Sequence, residues 1–226
     1  MTRRMTPLVI IGAGGFGREV LELIRDINNA TPAFEFLGFL DDGQTSSELL
    51  ERVGARTLGP SSRLAEIDAS FVIAIGAAEP RRQIDALARS HGREAVAVIH
   101  PWATIGRDVE IGEGAVVAAG ARLTTHVFVG RHAHVNINCT VGHDAIIEDF
   151  ATLAGGVHLG GGCVIEEGAS LGLGSVVLPN VRVGRGAVVG AGAVVVRDVA
   201  PGATVLGAVA RPTLAARRVQ VEDDPG

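Results

Sequence analysis

The chain has no tyrosine, a single tryptophan and only 4 % aromatic residues, so any core it builds must be aliphatic. At 47 % hydrophobic over 226 residues, it has ample material for one. Cysteine is scarce too: Cys139 and Cys163 are the only two, too few for a disulfide framework or a cysteine-rich zinc site. No run of Lys or Arg occurs and the formal net charge is −5, which excludes a basic face for nucleic acid. The N-terminus has Arg3 and Arg4, but the apolar stretch that follows is only Leu8–Ile11. That is too short for a signal peptide or a membrane span, so a cytoplasmic protein with no membrane insertion is expected.

What the chain has instead is a six-residue rhythm. From Ile99, every sixth residue is Ile, Leu or Val, through Ile105, Ile111 and Val117 to Val195. Four residues after each stands a small residue, as at Ala103, Ala115, Ala121, Cys139 and Cys163. A period of six fits neither an α-helix nor an alternating strand; it is the hexapeptide repeat of a parallel β-helix. Both residues of each pair point inward, the small one near a corner. Three hexads make one triangular coil, so 18 residues bring the chain back to the same face, and Ile99 to about Ala200 spans between five and six coils. Each coil buries its faces only by stacking on the next. Glycine often follows the aliphatic residue directly, as at Gly106, Gly112, Gly142 and Gly160, where a tight turn or a positive φ is expected. Cys139 and Cys163 are 24 residues apart, four hexads rather than three. They are expected on different faces, unpaired and buried.

Residues 1–98 follow another pattern. Leu8–Ile11, Phe36–Leu40 and Phe71–Ile75 read as buried strands, Arg18–Asn28 and Glu79–Ser90 as helices, and Ala95–Ile99 as a last strand that hands over to the coil. This is a βαβαβ unit with a parallel sheet. Gly12, Gly14 and Gly17 satisfy G-x-G-x-x-G at the first strand-to-helix turn, and Asp41 and Asp42 end the second strand. Glycines let a backbone approach phosphate at a helix N-terminus, and the acidic pair can accept from ribose or base. The unit has about half the strands of a full dinucleotide fold. A nucleoside diphosphate joined to another group therefore suits it better than NAD; the alternative is a structural glycine turn.

On a repetitive scaffold, chemistry belongs to outward residues that break the pattern. Histidines cluster there: His126, His132, His134, His143 and His158, with His100 in the entry hexad. No two histidines are five residues apart, and no Cys/His cluster has zinc spacing, so no metal is expected. His143 is the third residue of its hexad, which sets its ring outside the prism, and Asp144 follows. A carboxylate beside an imidazole fixes its tautomer and stabilises the imidazolium, as a general base near neutral pH requires. The competing reading is an inert surface histidine.

Five segments in order, Gly12–Val20 (GAGGFGREV), Gly38–Asp42 (GFLDD), Val72–Gly76 (VIAIG), Asn136–Ile147 (NINCTVGHDAII) and Gly207–Pro212 (GAVARP), resemble the bacterial nucleotide-sugar acyltransferases. That group includes N-acetyltransferases of UDP-4-amino sugars and of GDP-perosamine, and sialic acid O-acetyltransferases. The resemblance runs from Ile10 to Pro212. It implies an N-terminal Rossmann-like domain over 1–98, a left-handed β-helix over 99–206 and a tail over 207–226. It further implies a homotrimer that uses acetyl-CoA and a nucleotide-linked sugar. In family terms His143 is the catalytic base, Asp144 orients it, and Asn136 contacts the reacting end of the sugar. Gly14, Gly15, Phe16, Asp41, Asp42 and Gly76 hold the nucleotide. Thr152, Gly161, Leu173, Ala191 and Arg211 fall at coenzyme A positions, with Arg217 and Arg218 as further phosphate partners. The chain departs from the family at Phe16 and Thr152, where histidine is frequent, and at Val209, where proline is usual. The resemblance implies direct acetyl transfer to a sugar amine. The alternatives are transfer to a sugar hydroxyl by the same residues, a non-catalytic trimeric scaffold that senses a nucleotide sugar, and, disfavoured, a nucleotidyltransferase.

Overall fold

The computed structural model describes residues 5–43 and 46–207. The N-terminal part is a parallel sheet of β1 (Thr6–Ile11), β2 (Phe34–Leu40), β3 (Thr57–Gly59) and β4 (Ser70–Ile73) in the order β3-β2-β1-β4. Between the strands lie α1 (Gly15–Ala30), the short α2 (Ser47–Arg52) and a 3-10 turn at Ser61–Ala65; α3 (Ala78–Ser90) follows β4. Strand residues alternate between faces, so β1 feeds two cores. Leu8 and Ile10 pack with Val20, Leu21 and Ile24 of α1, whereas Val9 and Ile11 pack with Leu64 and with Ile84 and Ala88 of α3. The first core also takes in Val98, Val116 and Ala118 of the coil, so the two parts share buried apolar surface.

The coil forms three parallel sheets. The first face has seven rungs from Val98–Ile99 to Thr204–Val205, the second six from Thr104–Ile105 to Val194–Val195, and the third five from Glu110–Ile111 to Arg182–Val183. From Ala115 to Val199 the aliphatic ladder and its small partners, Cys139 and Cys163 included, form one buried column, with Ile99, Ala103, Val109 and Ile111 packed against it part-buried and Ile105 exposed at the open end. The two thiols are free, and they precede rungs of different faces, Thr140–Val141 and Val164–Ile165. After Val195 the rhythm shortens: Val199 bridges Val183 and Thr204 pairs with Val188, a step of 16 residues instead of 18.

Two expectations are corrected. Ala95–Ile99 is not a strand of the N-terminal sheet. Ala95 makes a single bridge to Phe71, and Val98–Ile99 is already the first rung, paired with Val116–Val117. Nor does glycine directly after the aliphatic residue serve a positive φ. That conformation falls two residues later, at Gly114, Gly120, Gly162 and Gly174, and at Asp108, His126 and Asp144. The earlier glycines answer to crowding: a Cβ on Gly142 would stand 2.6 Å from the Gly161 nitrogen on the next coil. Among the described residues no helix is long and apolar enough to cross a membrane.

The N-terminal part covers the first face and its corner with the third. Contacts run from α3 and the loop before it to His134, Phe150 and Thr152, and on to Arg131, His132 and Glu167. The corner between the second and third faces is therefore the one opposite the covered face of the prism.

Candidate active site

The glycine-rich turn builds a cavity of about 580 Å³ lined by Gly12, Gly14, Gly15, Phe16, Asp41, Asp42, Ser61, Ile75 and α3 residues Pro80 and Gln83. Gly12 has φ +104°, and a Cβ on Gly17 would lie 1.9 Å from the Gly12 carbonyl oxygen, so the loop closes on α1 only with glycine at both positions. The N-cap of α1 is Gly14, with no side chain to satisfy the first N–H groups, which leaves them free for an anion. Both carboxylates already have work within the fold. Asp41 accepts from the Ala13 and Gly43 amides, tying the loop to the end of β2. Asp42 accepts from the amide and hydroxyl of Ser61. Gly76 stands just outside the cavity lining; its carbonyl is held by Arg81 and approached by the Thr152 hydroxyl.

His143 and Asp144 sit on the opposite corner. The ring is 69 % exposed, and its Nδ1 lies 2.7 Å from Asp144 Oδ2. Asp144 has φ +59°, a left-handed conformation that aspartate tolerates better than most residues, and that bend brings its carboxylate beside the neighbouring ring. With Nδ1–H committed to the carboxylate, Nε2 is the free end, aimed over the next coil. A Cβ on Gly161 would meet Nε2 at 2.5 Å, so only glycine leaves this space open. The Gly161 amide donates no hydrogen bond among the described residues. The equivalent amides of Arg131 and Arg185, by contrast, donate to Asp149 and Glu166. An imidazole with an open nitrogen therefore stands beside an unclaimed donor.

The other family positions do not converge within one chain. Asn136 and Ile137 lie at the corner between the first and second faces and line a separate hollow of about 320 Å³ against α1, which Phe16 also borders. Leu173 and Ala191 follow first-face rungs on that same corner, and Leu173 is 65 % exposed. Gly161 stands at the His143 corner. Thr152 is on the covered first face, where its hydroxyl accepts from Arg81 at 2.8 Å. Arg211, Arg217, Arg218 and Val209 lie outside the described residues. Among the described residues no group of three or more His, Cys, Asp or Glu side chains converges as a metal site.

The structure also joins residues that the sequence does not point to. Arg81 of α3 is fully buried. Its guanidinium donates to the carbonyls of Ile75, Gly76 and Phe150, to Thr152 Oγ1, and to His134 Nδ1 at 3.0 Å. His134 Nε2–H donates in turn to the Ile73 carbonyl, so this ring is a neutral tautomer with both nitrogens occupied. Burial, with Arg81 beside it, holds its pKa well below the ordinary 6.5. Burial also lowers Arg81 itself to about 10, with Arg82 adding to the effect. One turn along α3, burial works to raise the Asp85 carboxyl, but hydrogen bonds and charge from Arg131 and His132 outweigh it and hold it below the usual carboxylate range. His132 is pushed down by its burial against the pull of Asp85. The outward phase of His132 and His134 was legible; that a second domain would lie over them was not.

Comparison with known proteins brings these features together. Residues 7–86 match the PglD N-terminal domain, and residues 162–197 match the bacterial transferase hexapeptide (six repeats). The chain is 32 % identical over 175 residues to GDP-perosamine N-acetyltransferase of Escherichia coli O157:H7, covering 76 % of this chain and 78 % of that one. Among solved structures it resembles PerB from Caulobacter crescentus in complex with CoA and GDP-perosamine. The TM-score is 0.81 at 31 % identity, over 90 % of this chain and 95 % of the other. It also resembles the acetyltransferase domain of PglB from Neisseria gonorrhoeae FA1090 in complex with acetyl coenzyme A, with a TM-score of 0.80 at 31 % identity, over 90 % and 97 % of the two chains.

Proposed function

Because the chain belongs to the family of hexapeptide-repeat sugar acetyltransferases that includes GDP-perosamine N-acetyltransferase, we propose that it transfers the acetyl group of acetyl-CoA to the amino group of a nucleotide-linked amino sugar. One observation carries this reading: the His143–Asp144 pair, 2.7 Å apart, whose free nitrogen overlies a glycine with an unclaimed amide. His143 Nε2 takes a proton as the neutral sugar amine attacks the thioester carbonyl, and returns one to the departing CoA thiolate. The Gly161 N–H donates to the oxyanion that develops between these steps. Asp144 stabilises the imidazolium meanwhile. No acyl-enzyme is needed: both cysteines face inward, and burial pushes the Cys139 thiol up to about 11, far from a reactive thiolate.

The glycine-loop cavity takes the nucleotide on the α1 N-terminus, with Asp41, Asp42 and Ser61 at its rim. Thr152, Gly161, Leu173, Ala191 and Arg211 serve coenzyme A, and Asn136 the sugar. Among the described ones, Gly161 stands at the His143 corner, Asn136, Leu173 and Ala191 at another and Thr152 on the covered face, and the cavity lies over the face opposite His143. A homotrimer resolves this, with the cavity of one subunit facing the His143 corner of its neighbour. The relative named for its reaction, GDP-perosamine N-acetyltransferase, transfers to nitrogen, which favours the amine over a hydroxyl. Catalysis, rather than passive sensing, follows from an intact base and donor. The cytoplasm, where acetyl-CoA is available, is the matching compartment.

A thermal-shift screen with UDP, GDP, dTDP and coenzyme A identifies the nucleotide, since a ligand of the folded state raises Tm. Acetyl release is then followed with 4-amino sugars carrying that nucleotide. Wild-type protein that binds coenzyme A yet acetylates none of them would overturn the assignment.

A further inference from the structure

The Asp144 carboxylate faces more than His143. Asp108, His126 and Asp144 occupy the same place on three successive coils, each 18 residues apart and each left-handed, at φ 55°, 53° and 59°. Many equivalent positions are glycine, as at Gly114, Gly156 and Gly174. Here three consecutive ones carry titratable side chains. Backbone bonds from His126 N to the Arg107 carbonyl and from Asp144 N to the Thr125 carbonyl fix the column. Asp144 Oδ2 holds His143, while its other oxygen, Oδ1, lies 3.8 Å from His126 Nδ1. His126 Nε2 lies 3.6 Å from Asp108 Oδ2. The Thr125 hydroxyl donates to the Arg107 carbonyl and offers its lone pair to His126 Nδ1. Both nitrogens of His126 thus face carboxylate oxygens, at distances a little longer than a hydrogen bond. Glu110 shares the small hollow beside His126 and Asp108, and Arg107 precedes Asp108 on the lower coil.

We propose that His126, backed by Asp108, is a positioning residue for acetyl transfer. It stands 3.8 Å from the second oxygen of Asp144, so that one carboxylate faces two imidazoles. The inference rests on His143 being the base. His126 touches no reacting atom; it acts through Asp144, restraining its rotamer and limiting how strongly it holds a proton on His143.

His126→Asn is the test, because asparagine occupies the same left-handed corner at Asn180 and keeps the backbone. NMR titration of the His143 ring, which needs no substrate, is run on wild type and variant. The expected result is a midpoint about half a pH unit higher in the variant, the size of one unit charge several ångströms away in water. In 1 M salt, where the Debye length is about 3 Å, the difference should vanish. The acid limb of the kcat profile should move likewise, with KM for both substrates and Tm unchanged. Superimposable titrations at low salt would overturn the inference, as would a loss of activity equal at every pH and accompanied by a fall in Tm. Absence of acetyl transfer by wild type with the titration shift intact would instead sink the functional reading and leave the coupling standing.

Discussion

Two pairs of histidines stand on the same scaffold at neighbouring outward positions, and they have opposite characters. His132 and His134 are on the side that the N-terminal domain covers. They are fully buried, their protons are held off by desolvation, and they are locked to Asp85, Arg81 and the Ile73 carbonyl. His126 and His143 are on the opposite corner, both more than 60 % exposed and facing carboxylates. The hexad gives all four rings the same instruction, to point away from the core. What covers them decides whether each becomes a fixed strut or a group that can exchange a proton.

The sharpest break of this contrast is His143→Ala. Acetyl transfer should fall by about 10³-fold or more, the range of a lost general base, while Tm and the nucleotide-induced thermal shift stay as in wild type. Turnover near the wild-type rate would return His143 to the inert class. On the covered side the expected damage is to the fold. Arg81→Ala strands the Ile75 and Phe150 carbonyls and leaves Gly76 only the Thr152 hydroxyl, at about 3 kcal/mol in all, and Tm should drop by roughly 10 °C. Arg81→Lys should recover little, since an ammonium cannot reproduce the planar fork. A thermal melt of both variants checks this, and an unchanged Tm would mean the network is dispensable.

Gly161→Ala sharpens the open side. Its Cβ would collide with His143 Nε2 at 2.5 Å, so kcat should fall about 100-fold through misplacement of the ring, with little change in Tm. Equal kcat in a steady-state assay would show that the ring is not held where the geometry puts it. The smallest effect is a pH dependence on the covered side. The folded state keeps His132 and His134 below the ordinary 6.5, so the unfolded chain binds more protons below that value. Stability is therefore fully present above pH 6.5 and is lost as pH falls beneath it, at up to about 1.4 kcal/mol per pH unit for each ring. Asp85, held low, adds its own loss only in the more acidic carboxylate range. Melts across the weakly acidic range should show the slope, and His134→Gln should reduce it.

Inside and outside were legible along the whole coil, because the aliphatic ladder fixes phase residue by residue. Phase alone buried Cys139 and Cys163 and set His143 outward beside Asp144. The glycine turn and the strand ending at Asp41 were legible from local chemistry. The short β3 and α2 were not, since neither has enough residues to show a period. Arg81 was hidden for another reason. On α3 it looks like one more charge on a solvated helix, and only contacts with residues some 50 to 70 positions away reveal that it is a buried strut. Gly161 was placed at a coenzyme A position by resemblance; that it lies beside His143, which stands one coil below, is visible only when the chain is wound.

A hexad is one third of a turn, so length along this chain is also angle. Deleting the six residues 166–171 would keep every later aliphatic residue facing inward, and the hydrophobic pattern would register nothing. Everything beyond the cut would nonetheless swing through a third of a revolution. Leu173 and Ala191 would move to another corner, and the shortened last turn would close against a different face. The ladder counts rungs but carries no compass. The zero mark on this dial is the N-terminal domain, which grips the coil at Arg131, His134 and Thr152 and so gives every later corner its bearing.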